Sequence, residues 1–262
     1  MMNKINYSLG WNWSKDVCKA KSRFKPYWYA MRNPITTVLR YCKKRNIRLK
    51  RILEVGCGGG NFGIRFLIHN LDVYFIDASM GMLDTCRFNI KKILFFKKTD
   101  KIESKLFCQD MFNLGFKDEQ FDLIINEGVY EHLHEEEIRI KFLNESKRVL
   151  KKGGCLFVTI PNNKHPLTPY WKKKGYIWLD EVNNPLYYEI VLSVNEFTSE
   201  LEEVGFYDIY CDGCFLWDFI TLYPYNKLKR IITFLLKAFV PEMNRSMRLK
   251  FATYLWVIGR KG

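Results

Sequence analysis

Ten residues, Arg51-Ile-Leu-Glu-Val-Gly-Cys-Gly-Gly-Gly60, constrain this chain more than any others. Ile52, Leu53 and Val55 form a short apolar run suited to a buried strand. Gly56 to Gly60 then supply a turn nearly free of side chains, and Phe62–His69 comes next with Ile64, Leu67 and Ile68 on one helical face. Asn61 is placed to cap that helix. A strand, a glycine turn and a helix start form a device for holding a nucleotide. The backbone can approach the ligand closely, and the helix N-terminus faces it. The dinucleotide fingerprint G-x-G-x-x-G needs its third glycine at position 61, where this chain has Asn61. The turn alone is also compatible with a purely structural junction, so its meaning depends on the rest of the chain.

Beyond the turn, strands and helices alternate. Asp72–Ile76 reads as a second strand ending at Asp77, which lies 21 positions beyond Gly56. An acid at that distance, at the end of the next parallel strand, can accept hydrogen bonds from both hydroxyls of a ribose. Ser79 is placed to cap a helix with Leu83, Cys86 and Ile90 on one face. Lys105–Gln109 reads as a third strand ending in Asp110-Met111, and Phe121–Asn126 as a near-continuous apolar fourth strand. Glu135–Lys152 reads as a helix with acids at its start and lysines at its end, stopped by Gly153-Gly154. Cys155–Ile160 is then the fifth strand. Ser193-Val-Asn-Glu196 is a capping box opening a further helix, and Gly205–Cys211 and Thr253–Arg260 read as strands six and seven.

Taken together, Glu54-x-Gly56-x-Gly58-x-Gly60, Asp77-Ala78-Ser-Met80, Asp110-Met111 and Glu127-Gly-Val-Tyr-Glu131-His132 resemble the motifs of the class I S-adenosylmethionine (SAM)-dependent methyltransferases, in particular their type 11 group. The resemblance covers roughly residues 50–212, with the last strand extending it to the C-terminus. It implies a Rossmann-like α/β fold: a seven-stranded, mostly parallel sheet with helices on both faces and the final strand antiparallel. It also implies SAM as cofactor, bound by Glu54, Gly56, Cys57, Gly58, Gly60, Asp77, Ala78, Asp110, Met111 and Glu127. In this family an acid at position 110 accepts from the adenine amine, with an apolar neighbour against the ring. His132 is then a candidate general base, with Glu131 orienting it. Quinone-pathway O-methyltransferases of the group have an E-x-x-E-H triplet that can hold a divalent metal. Here Gly128 stands at its first position and the nearest acid is Glu127, so no metal ligands are assigned.

The resemblance further implies methyl transfer to an O or N acceptor of a small molecule, such as a lipid, quinone or glycan precursor. The alternatives are an RNA (tRNA) methyltransferase and a non-catalytic SAM-binding protein. The net charge of +14 bears on this choice because it is uneven: +12 in residues 1–50, −5 in 51–212 and +7 in 213–262. Basic flanks suit an anionic partner, either a membrane surface contacted peripherally or RNA. Against RNA, the N/D-P-P-Y/F tetrad of base-amine methylation is missing, since Asn126 is succeeded by Glu127-Gly128-Val129.

The organisation read from the chain is a basic helical N-terminal cap over 1–50 and a methyltransferase domain over 51–262. Two insertions interrupt that domain as parts of a substrate lid. Residues 162–192 are aromatic-rich and broken by prolines, and residues 213–252 contain an amphipathic helix at Lys227–Val240. The eight cysteines are scattered, and Cys211-Asp-Gly-Cys214 is the sole C-x-x-C, so reduced core thiols are expected instead of a zinc ribbon. Met1–Ala20 has no apolar core of a signal peptide, and a cytoplasmic location is expected.

Overall fold

In the computed structural model the described residues are 34–67, 69–97, 105–166, 189–214, 244–252 and 254–262. The first 33 residues of the expected cap, most of the first expected lid insertion and the amphipathic helix expected at Lys227–Val240 lie outside them. The elements run α1 (Pro34–Lys44), β1 (Arg51–Val55), α2 (Gly63–Leu67), β2 (Asp72–Asp77), α3 (Met80–Lys97), β3 (Lys105–Cys108) and β4 (Phe121–Asn126). A 3-10 turn at Tyr130–His132 precedes α4 (Glu136–Val149), β5 (Leu150–Pro161), α5 (Val194–Glu203), β6 (Phe206–Cys214), α6 (Arg245–Phe251) and β7 (Tyr254–Lys261).

The strands form one seven-stranded sheet in the order β3-β2-β1-β4-β5-β7-β6. β1 to β5 pair in parallel, and β7 enters antiparallel between β5 and β6. Alternation along each strand feeds two cores. Ile52, Leu123, Ile125, Phe157, Trp256 and Ile258 pack on one face, while Leu53, Ile124, Leu156, Val158, Leu255 and Val257 pack on the other. Burial on both faces explains why all six residues of β4 are buried and why its sequence is almost wholly apolar. The strand order reverses between β1 and β4, so their carboxyl ends open a crevice where an open α/β sheet takes its ligand.

The junction between α4 and β5 differs from the sequence reading. α4 ends at Val149, and Leu150 already pairs with Phe121 as the first residue of β5. The Lys151–Gly154 stretch forms an irregularity in that pairing, with Gly153 at φ +72°, so the two glycines bend a strand instead of stopping a helix. α1, the described part of the expected cap, docks its Ile35, Val38, Tyr41 and Cys42 face into the first core. It is pinned to β6 by Tyr41, whose hydroxyl donates to the Asp208 carbonyl at 2.6 Å. No helix among the described residues is long and apolar enough to cross a membrane.

Candidate active site

β1 delivers the glycine turn to the crevice, and the turn closes because its residues tolerate a left-handed backbone. Gly56 has φ +67°, and a Cβ there would lie 2.3 Å from Val129 Cγ2 of the loop after β4. No other residue fits. Gly58, at φ +47°, has nothing within 4 Å of its Cβ direction and leaves open space at the ligand side. Gly60 is turned away from the cleft, towards Cys86 of α3, where a Cβ would approach the Cys86 sulfur to 2.6 Å.

The turn is clasped from β2. Asp77 Oδ2 accepts from the Gly58 N–H at 2.9 Å, and Oδ1 accepts from the Ser79 N–H at 2.8 Å. Burial raises the Asp77 carboxyl pKa above its ordinary value, against the opposing pull of these N–H groups. Ser79 also caps α3 by accepting from the Met82 N–H at 3.4 Å, as its position suggested.

A cleft of about 460 Å³ lies over the turn, within the range of small-molecule sites. Of the residues singled out from the sequence, Gly56, Cys57, Gly58, Asp77, Ala78, Asp110, Met111, Glu127 and His132 line it. Gly59, Asn61, Ile76, Met82, Cys108, Gln109, Gly128, Val129 and Leu133 complete the wall.

Glu54, Gly60 and Glu131 are not part of that lining. Glu54 is buried beneath the turn, where its two oxygens accept from the Phe62 N–H at 3.2 Å and the Gly63 N–H at 2.9 Å. These are N–H groups at the start of α2, so Glu54 takes the capping role expected of Asn61, which instead lines the cleft. Burial pushes the Glu54 carboxyl up to about 8, with its two N–H donors pulling the other way.

The opposite wall comes from the exit of β4. The buried Asn126 amide donates to the Val55 carbonyl at 3.1 Å, and its oxygen accepts from the Tyr130 N–H at 3.0 Å, tying β1 to the 3-10 turn. Tyr130 donates to Glu200, which Arg139 holds with a fork of contacts down to 2.7 Å. Arg139 also donates to the carbonyls of Leu133 and His134. This network fixes the turn that carries Glu131 and His132 against α4 and α5. Sequence reasoning missed it, because Asn126, Arg139 and Glu200 are far apart in the chain and match no local pattern.

Glu131 is 1% exposed and sits against Glu189. Its carboxyl pKa is raised chiefly by burial and then by the Glu189 charge, while burial raises Glu189 to about 7. The cleft thus pairs a carboxylate-clasped glycine turn and a second acid at the next strand end with a histidine on the facing wall.

Residues 52–154 match the family model described as a methyltransferase domain. A ubiquinone biosynthesis O-methyltransferase of Pelagibacter ubique is 32% identical over 119 residues, covering 45% of this chain and 43% of that protein. An uncharacterized protein of Methanocaldococcus jannaschii is 29% identical over 168 residues, 63% of this chain and 69% of that one. The chain spans less than half the length of the first curated relatives it matches. Among solved structures, a SAM-dependent methyltransferase from Archaeoglobus fulgidus aligns with a TM-score of 0.56 at 16% identity, covering 91% of this chain and 98% of its own. Magnesium protoporphyrin IX methyltransferase from Synechocystis, with bound S-adenosylhomocysteine, aligns at 0.57 and 14% identity, over 87% of this chain and 82% of its own. Residues 52–154 thus match a methyltransferase domain, and the sheet that carries them has the fold of solved SAM-dependent methyltransferases.

Proposed function

We propose that the chain binds SAM in this cleft and transfers its methyl group to an O or N acceptor of a small molecule. The observation that carries the reading is the Asp77 clasp. Its carboxylate holds the glycine turn through one N–H to each oxygen and retains lone pairs for two ribose hydroxyls. Asp110 then takes the adenine amine, with Met111 against the ring, and the space at Gly58 admits the chain of the cofactor. When bound, SAM supplies a methyl group on a sulfonium leaving group.

The residues of the cleft have two tasks. They hold acceptor and methyl carbon about 3–3.5 Å apart, in line, and they accept a proton where the acceptor must lose one. His132, on the wall facing the turn, takes that proton at an imidazole nitrogen. The acceptor's lone pair forms the new bond to carbon, and the old C–S bond breaks with its pair left on sulfur.

A small acceptor is supported by the ubiquinone-pathway relative. The basic flanks suit an amphiphilic acceptor presented at an anionic surface. The test is incubation of the protein and labelled SAM with metabolite, lipid and RNA fractions of a cell extract. Label in the metabolite or lipid fraction is expected. Label confined to RNA overturns the acceptor class, and no label in any fraction overturns turnover itself.

A further inference from the structure

At the wall of the cleft, the 3-10 turn and the segment re-entering at Glu189 bring two carboxylates together. Oxygens of Glu131 and Glu189 lie within 4.8 Å of each other and of an imidazole nitrogen of His132. Glu131 is 1% exposed, and its Oε2 is buried with no hydrogen-bond partner. A native fold rarely leaves a carboxylate oxygen in that condition, because burial removes its water and nothing takes the water's place.

The surroundings of the pair are acidic as well. The chain carries a net charge of +14, yet the strongest charges acting on Glu131 are those of Glu189 and Glu127. Glu189 in turn meets Glu127. Acids crowded in this way favour a cation among them. The pair is also held in place. The Ile190 N–H donates to the Glu131 carbonyl at 2.8 Å, which ties the re-entering segment to the turn. Tyr254 of β7 donates its hydroxyl to Glu189 Oε2 at 3.3 Å and orients that carboxylate.

We propose that Glu131 and Glu189 hold a protonated amino group of the methyl acceptor, so that the cleft takes small amine-bearing molecules. An ammonium presents three N–H donors and no acceptor, which complements two carboxylates. Charge-assisted N–H···O contacts are about 2.8 Å long, so a tetrahedral ammonium shared by two oxygens holds them about 4.6 Å apart. The spacing of Glu131 and Glu189 admits that arrangement. An anionic group in the same place would meet three acids and be repelled. His132 lines the cleft beside the pair and keeps its role as base. Val129 and Leu133 offer an apolar wall to the rest of the molecule. That this molecule is the methyl acceptor rests on the proposed function, but the amine site itself does not.

The experiment compares three probes of similar size by calorimetry on the full chain. They are 2-phenylethylamine, a cation at pH 7, neutral 2-phenylethanol, and the anion phenylacetate. SAM binding is measured on the same samples. The amine should bind about tenfold or more tighter than the alcohol, and the anion most weakly. Glu189→Gln and Glu131→Gln should each bind the amine about tenfold or more weaker than wild type, with affinities for the alcohol and SAM unchanged. If Glu131→Gln fails to fold, Glu189→Gln, at a half-buried position, carries the comparison. The proposal is overturned if the amine binds no tighter than the alcohol, or if Glu189→Gln binds it as tightly as wild type. Loss of amine and SAM together in Glu189→Gln would also overturn it, because the acid would then serve the cofactor. Preference for the amine without SAM binding would leave the site standing and overturn the proposed function.

Discussion

Replacing Asp77 by Ala perturbs the cleft in two separable ways. The carboxylate accepts from the Gly58 N–H at 2.9 Å and the Ser79 N–H at 2.8 Å, so its removal releases the glycine turn from β2. These donors sit at the half-exposed rim, where water replaces the lost acceptor, and the stability loss is about 1 kcal/mol. The second loss appears only with SAM present. A hydrogen bond to a charged acceptor contributes about 1.5–3 kcal/mol, so removing the ribose acceptor weakens SAM binding roughly tenfold to a hundredfold. Asp77→Asn should be nearly as damaging, because its NH₂ must face either the Gly58 or the Ser79 donor. Calorimetry with SAM gives the affinity, and urea unfolding of the same samples gives the stability. A folded Asp77→Ala protein that binds SAM within about twofold of wild type would refute the reasoning, since an effect that small corresponds to less than about 0.5 kcal/mol.

The walls of the cleft and the acid beneath its turn yield three further predictions. Arg139→Ala leaves Glu200 buried without its guanidinium partner and should destabilise the fold by about 3–5 kcal/mol in urea unfolding; a loss under about 1 kcal/mol would mean that the network carries little. His132→Ala should lower turnover roughly 10²–10⁴-fold with SAM affinity intact, and unchanged turnover in the folded variant would remove His132 from the reaction. Because burial raises the Glu54 carboxyl from its ordinary 4.5 to about 8, the native state keeps a proton that the unfolded chain has released. Its contribution to stability is therefore full below about 4.5 and is lost as pH rises through about 8. Urea midpoints across that range should fall less steeply for Glu54→Gln than for wild type, and equal slopes would contradict the assignment.

The strand-end residues were legible because their placement is a local matter. Asp77, Asp110 and Glu127 each close or succeed an apolar run, and in a parallel sheet every such end meets the same crevice. Glu54 and Gly60 show where that logic stops. Their spacing marks the turn, but the direction each one faces depends on α2 and α3 packed beneath it. Alternation offered one clue for Glu54: it shares a strand face with Ile52, whose side chain enters the core. The Lys151–Gly154 bend was misread because a helix stop and a strand bulge both use glycine, and only pairing with Phe121 distinguishes them. Glu189 carried no local signal. It reaches Glu131 only through the re-entry of a segment after the insertion, tied by the Ile190 backbone bond.

The central claim is that the Gly56–Gly60 turn, Asp77 and Asp110 form a SAM site. Calorimetric titration of the wild-type chain with SAM, S-adenosylhomocysteine and NAD tests it most directly. The account predicts saturable binding of SAM and S-adenosylhomocysteine at one site per chain and no binding of NAD, whose fingerprint lacks its third glycine at Asn61. Binding of NAD without binding of SAM would contradict it.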